Sequence, residues 1–154
     1  MNYLIEPQRQ VEICASAEVL ILGGGPSGIA AAIASARSGS KTILLERYGF
    51  LGGMGTAAMV TNFCGLHANV NGTVQRIVHG VADDILARLE DLGGLNAPHH
   101  IKGRNGGHDT AAQAYDTAAY KVVADELLKD AGVDIRFHSL AAGVAMKNKS
   151  SIDA

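Results

Sequence analysis

Residues 18–47 read EVLILGGGPSGIAAAIASARSGSKTILLER, and this stretch decides the fold. An apolar run at residues 19–22 has the length of a short β-strand and is stopped by Gly23-Gly24-Gly25. Pro26 stands where a first helical turn tolerates a missing N–H. Beyond it, Ile29, Ile33 and Ala36 fall on one helical side. Gly28, Ala32 and Ser35 or Ala36 form a stripe of small residues that lets the helix lie close to a sheet, and Ser38-Gly39 is a stop signal. A second apolar run, residues 42–45, ends at Glu46. Strand, helix and strand make one βαβ unit, which implies parallel pairing and a right-handed crossover.

The glycines of this unit are spaced for a ligand. Gly23, Gly25 and Gly28 satisfy G-x-G-x-x-G, with Pro26 and Ser27 inside the pattern. Gly23 serves the tight turn, Gly25 lets backbone approach a pyrophosphate, and Gly28 lets helix and strand pack closely. The phosphates then face the N–H groups and the positive dipole end of the helix. The pattern acquires meaning from its context, above all Glu46, 18 residues beyond Gly28, where a carboxylate can accept from an adenosine ribose. That carboxylate repels a 2′-phosphate and favours NAD or FAD over NADP, although Arg47 beside it softens the exclusion.

A second glycine cluster follows in RYGFLGGMGT, with Gly52, Gly53 and Gly55. A simple NAD domain has no requirement for another bared backbone here, whereas a larger dinucleotide buried along its length does. Read as one block, residues 18–60 resemble the N-terminus of the FAD-dependent oxidoreductases of the glutathione-reductase-like superfamily, in the group carrying E-R-x-x-x-L-G-G-M-x-T. YDTAAYKVVADELLKDAGVDIRFHS, residues 115–139, is similar to the helix and strand preceding the second adenine-contacting segment of that family. The resemblance implies that Gly23, Gly25, Gly28, Glu46, Arg47, Gly53, Met54 and Gly55 line FAD and that Val144 offers a backbone contact to adenine. It also implies a Rossmann-like α/β parallel sheet that further chain must complete, since family members run to several hundred residues. The expected assembly pairs this chain with a second polypeptide supplying the rest of the FAD and substrate domains. Left open are an NAD-dependent dehydrogenase domain and a non-catalytic nucleotide-binding assembly subunit.

The remainder of the chain is expected to comprise an irregular arm (residues 1–17) followed by one domain portion (18–154), in which 55–115 is a loop and helix insertion towards the substrate side. Residues 47–80 are expected to be rich in loop. A helix over 81–92 shows Val81, Ile85, Leu89 and Leu92 on one face, and residues 96–110 read as a polar loop. Asp116 is placed to cap a helix over 117–129, with Ala118, Val122 and Asp125 or Glu126 on successive turns. A third strand is expected at 133–137, then a strand at 142–146, a polar turn, and the start of a returning strand. Three parallel strands with half a hairpin leave exposed sheet edge.

Composition narrows the partners. A net charge of −2 with scattered Lys and Arg gives no reason to expect nucleic acid or an anionic membrane. No apolar stretch spans a bilayer and no signal peptide is evident, so a cytoplasmic setting is expected. Cys14 and Cys64 are too few and too far apart for a disulfide framework or a zinc site, and no redox-active cysteine pair exists. Among six histidines, adjacent His99 and His100 do not easily converge on one ion, and no metal site is expected. His67 and His79, in or beside the segment following the second glycine cluster, are weak candidates for acid/base work on a small-molecule substrate; a polar loop histidine is the simpler reading of each. Asp83-Asp84 and Glu90-Asp91 read as a solvated helix face.

Overall fold

The computed structural model describes residues 10–103, 109–149 and 151–152. The βαβ unit is as expected: β1 (Val19–Leu22), α1 (Pro26–Arg37) and β2 (Thr42–Leu45), with β1 and β2 parallel. A short 3₁₀ turn (Gly53–Gly55) leads into β3 (Asn62–Cys64), then β4 (His67–Val70) and β5 (Thr73–Arg76). Next come α2 (Val81–Asp91), β6 (His99–Ile101), β7 (Thr110–Ala114), α3 (Thr117–Asp130), β8 (Asp134–Arg136), β9 (Met146–Asn148) and β10 (Ser151–Ile152).

The main sheet has the order β1-β2-β8, all parallel. Its register places Ile21, Leu44 and Ile135 in one row across the three strands, and that row belongs to the core under the helices. Ile29 and Ile33 of α1, Leu89 of α2, and Tyr120, Val123 and Leu128 of α3 close that core, each fully buried. Gly28 permits the close approach of α1: a Cβ there would lie 1.8 Å from the Gly23 carbonyl oxygen.

Several expectations need correction. Residues 47–80 are not simply loop. Asn71 and Gly72 both take positive φ (52° and 86°), the geometry of a two-residue I′-type turn, and join β4 to β5 as an antiparallel hairpin. The supposed polar loop at 96–110 carries β6 and the start of β7, which form an antiparallel sheet of order β3-β7-β6. Residues 104–108 of that segment, His108 among them, lie outside the described residues. The described residues of 55–115 therefore carry strands as well as loop and α2.

α3 is capped as expected, the Asp116 carboxylate accepting from the Ala119 N–H at 2.8 Å, but it buries a different face. Tyr120, Val123, Ala124, Leu127 and Leu128 point inward while Val122 is 47% exposed, because this larger apolar row outweighs the one through Ala118. On α2, Ile85, Leu86 and Leu89 are buried, and Leu92 is exposed just past the helix end. Asp83 and Asp84 are not merely solvated. Asp84 pairs with Arg37 at 2.7 Å, and Asp83 accepts from the Gly80 N–H at 2.9 Å, satisfying a donor at the helix start. After β8 the chain runs without regular strand to Met146, so the expected strand at 142–146 is displaced to β9, which pairs antiparallel with β10.

Candidate functional site

The first glycine cluster lies at the carboxyl ends of the parallel strands. There the Gly23 N–H donates to the Leu45 carbonyl at 2.8 Å and the Glu46 N–H to the Arg136 carbonyl at 2.9 Å. This is the crevice at which open α/β sheets bind ligands. Gly25 is the N-cap of α1 in extended conformation (φ −75°, ψ 180°), and its carbonyl takes the first helical bond from the Ile29 N–H at 2.9 Å. The first turn thus points the N–H groups of Ser27 and Gly28 out of the helix end, and Pro26 has none to leave unsatisfied.

The second cluster is not a separate site. The Gly52 N–H donates to the Gly24 carbonyl at 2.8 Å, and a Cβ on Gly53 would lie 2.8 Å from the Gly25 Cα. The two clusters meet backbone to backbone. Gly52 turns the chain in the left-handed region (φ 106°) as it enters the 3₁₀ turn. Thr56 closes that turn, its hydroxyl donating to the Leu51 carbonyl at 2.6 Å.

Glu46 is 5% exposed and joins these parts. One carboxylate oxygen accepts from the Gly24 N–H at 2.7 Å, the other from the Tyr48 N–H at 2.8 Å. Each carboxylate oxygen has a second lone pair for a further donor, such as a ribose hydroxyl. Around Glu46 lies a cleft of about 310 Å³, lined among others by Gly23, Arg47, Tyr48 and Gly53. The Arg47 guanidinium lies over the Tyr48 ring, 4.9 Å from its centroid. Leu22 and Leu45 form apolar wall, and Ser139, Leu140 and Ala141 complete it.

Those last three residues were missed by sequence reasoning. Their signal is position: they follow closely on β8, and the Ser139 N–H donates to the Glu46 carbonyl at 3.0 Å. Val144, expected at adenine, is 60% exposed and not among the residues lining the cleft. Met54 is exposed on the second cluster. Gly55 is buried below it, where a Cβ would lie 2.6 Å from both the Tyr115 hydroxyl and the Tyr120 ring. Tyr115 stacks on Phe63 (centroids 4.2 Å apart) and meets Tyr120 edge-on at 5.2 Å. Its hydroxyl reaches the carbonyls of Gly55 (3.2 Å) and Val60. Burial pushes the Tyr115 phenol up and that of Tyr120 up to about 12; the Tyr120 hydroxyl is buried without a partner.

The two candidate histidines do not line this cleft. His67, on β4, is partly buried, its Nδ1 has no hydrogen-bond partner, and its backbone carbonyl accepts from the Thr110 hydroxyl at 2.9 Å. His79 Nδ1 lies 3.2 Å from Asp83, whose carboxylate also pairs with Arg76 at 2.8 Å. Burial opposes ionisation of Asp83, but the Gly80 N–H, Arg76 and His79 outweigh it and hold the carboxyl below its ordinary range. The neighbouring Asp84 is tied to Arg37 at the last turn of α1. His79 therefore sits towards the end of α1 remote from Gly25; the helix spans 12 residues, about 18 Å. Among the described residues no three His, Cys, Asp or Glu side chains converge as metal ligands, and no helix is long and apolar enough to cross a membrane.

Residues 18–154 match the family described as FAD dependent oxidoreductase. The chain belongs to that family. Its cofactor is accordingly FAD, and the bared backbone at Gly25 together with the outward N–H groups of α1 fits a pyrophosphate. No curated protein matches the chain. Among solved structures, THI4 of Thermovibrio ammonificans is 18% identical over 88% of this chain and 43% of its own, with a TM-score of 0.51. A geranylgeranyl bacteriochlorophyll reductase-like protein of Thermoplasma acidophilum is 20% identical over 88% of this chain and 33% of its own, TM-score 0.50. BexE, described in connection with oxidation during BE-7585A biosynthesis, is 21% identical over 85% of this chain and 26% of its own, TM-score 0.54. These likenesses support the Rossmann-like α/β fold. The chain spans less than half the length of each.

Proposed function

We propose that this chain forms the adenosine-diphosphate half of the FAD site in an oxidoreductase that transfers hydride between a small organic substrate and FAD. The observation that carries the reading is the cleft around Glu46, at the carboxyl ends of parallel strands, where two glycine clusters abut at a helix N-terminus. In it, Ser27 and Gly28 donate backbone N–H groups to pyrophosphate, Gly25 leaves space for the phosphate to approach, and Glu46 accepts from ribose. Leu22, Leu45 and Leu140 offer the adenosine end an apolar wall. FAD, once held, supplies the redox chemistry, and the protein contributes position and electrostatics.

The rest of the flavin and substrate domains would come from a second polypeptide, in a cytoplasmic hetero-oligomer. The insertion that carries His67 faces the substrate portion in this reading.

The test is a visible absorption spectrum of the protein purified with its associated polypeptides, followed by anaerobic addition of candidate donors. A flavin spectrum bleached by an organic donor is the expected result. A colourless protein that binds NAD overturns the proposal, and a flavin that no donor reduces points instead to an assembly subunit.

A further inference from the structure

Residues 47–50, directly after Glu46, read Arg-Tyr-Gly-Phe. Their backbone is fixed from two sides. The Tyr48 N–H donates to the Glu46 carboxylate, and the Tyr48 carbonyl accepts from the His138 N–H at 3.3 Å. Gly49 lies against the His138 ring, where a Cβ would stand 3.0 Å from two of its atoms. On either side of Gly49, the Tyr48 and Phe50 rings stack, with centroids 5.7 Å apart and planes 11° from parallel.

Each ring carries a cation. The Arg47 guanidinium lies over Tyr48, and the Lys121 ammonium of α3 lies over Phe50, 3.9 Å from the ring centroid. Lys121, Phe50, Tyr48 and Arg47 thus touch in series, from α3 to a residue that lines the Glu46 cleft. Lys121 and Phe50 are not among the residues lining it. Among the described residues neither cation is ion-paired; even Asp125, one turn along α3 from Lys121, forms no ion pair with it. A lysine preceding its acid by four residues is the weaker order on a helix, and the ring face is what this lysine holds. A guanidinium laid on a ring keeps its in-plane N–H donors free, so the tilt of the Tyr48 ring decides where those of Arg47 point. Tyr48 is 43% exposed, and Phe50, not a surrounding core, orients its ring.

We propose that Lys121 is a positioning residue for the cofactor: through Phe50 and Tyr48 it sets the Arg47 guanidinium at the mouth of the cleft, from a place on α3 outside it. The inference rests on the reading of this cleft as the adenosine site. It goes further in giving a role to a residue that neither glycine cluster contains. The lysine acts through ring contact. A charge felt at a distance is a different cause, since it would attract the pyrophosphate whether or not Arg47 were present.

The experiment combines NMR of the Arg47 side chain with flavin fluorescence titration, both on the native protein after removal of its FAD. In the wild type the Tyr48 ring current should shift the Arg47 Cδ protons upfield. Lys121→Met keeps the stem and removes the charge; it should return those protons towards the position of a free arginine and weaken FAD binding about threefold. Lys121→Arg should preserve both the shift and the affinity. In an Arg47→Ala background, Lys121→Met should leave FAD affinity unchanged. An Arg47 resonance indifferent to Lys121→Met overturns the positioning. So does a loss that persists in the Arg47→Ala background, which marks a charge acting directly on the phosphates. A moved resonance with Arg47→Ala weakening FAD and Lys121→Met leaving it unchanged overturns it as well. A moved resonance with FAD affinity untouched by Arg47→Ala leaves Lys121 in control of Arg47 and sinks the adenosine reading of the cleft.

Discussion

Replacing Gly28 and Gly25 separately by alanine tests whether the first glycine cluster serves the fold, the ligand, or both. In Gly28→Ala the new methyl carbon would lie 1.8 Å from the Gly23 carbonyl oxygen and 3.0 Å from its carbon. Ordinary C···O contacts need about 3.3 Å, so the start of α1 must retreat by roughly 1.5 Å. The obstacle is backbone, and no side chain can swing aside. Retreat loosens Ile29, Ala32 and Ile33, all fully buried against the sheet and α3. Overpacking of this kind costs about 3 kcal/mol. In Gly25→Ala the nearest heavy atom to the new methyl is the Gly53 Cα at 4.0 Å, and φ is an ordinary −75°. Only the N-cap preference is lost, at most about 1 kcal/mol. In the proposed site the same methyl would stand in the approach of the pyrophosphate, and FAD affinity should fall by at least about tenfold, or 1.4 kcal/mol.

Urea unfolding and flavin fluorescence titration of the assembled protein read the two effects independently. With a denaturant slope of about 2 kcal/mol/M, the Gly28→Ala midpoint should drop by roughly 1.5 M. An unchanged midpoint would show that the close approach of α1 to Gly23 does not hold. Wild-type FAD affinity in Gly25→Ala would refute the pyrophosphate position outright.

Three further outcomes are expected. Tyr120→Phe removes a buried hydroxyl that has no partner and should stabilise the protein by about 1 kcal/mol, whereas Tyr115→Phe removes a hydroxyl bonded to the Gly55 and Val60 carbonyls and should cost a similar amount in urea unfolding. Asp116→Ala should lower stability by about 1 kcal/mol through loss of the cap on Ala119, with Asp116→Asn restoring most of it. Asp125 has its carboxyl pushed up by burial; its folded pKa lies above the unfolded one, so the protonated form favours folding and stability falls as pH rises through the folded value. Asp125→Asn should therefore raise the melting temperature at neutral pH, with the advantage vanishing below the ordinary aspartate pKa of about 3.9.

The βαβ unit was legible because its punctuation is local: an apolar run, three glycines, a proline, and Ser-Gly at the helix end. The same reasoning located α2, α3 and the Asp116 cap. It failed where a strand owes its existence to its neighbours. β7 reads Thr-Ala-Ala-Gln-Ala, with no β-forming run, and becomes a strand because β3 and β6 pair on its two sides. The β4–β5 hairpin is a different kind of miss, since Asn71-Gly72 is a strong turn signal that the surrounding polar residues obscured. In the site, the spacing of Gly23, Gly25, Gly28 and Glu46 was readable. That Glu46 binds the Gly24 and Tyr48 N–H groups, and that Gly53 rests on Gly25, depends on where separate segments meet in space. The same is true of Ser139–Ala141 at the wall of the cleft.

Tyr115 connects the β3-β7-β6 sheet to the second glycine cluster. It follows directly on β7, the middle strand of the β3-β7-β6 sheet, and its hydroxyl reaches carbonyls at both ends of residues 55–60, while the Tyr120 ring lies against Gly55. Gly55 ends the 3₁₀ turn whose first residue, Gly53, rests on Gly25. One phenol and three residues of backbone thus join the β3-β7-β6 sheet to the first glycine cluster.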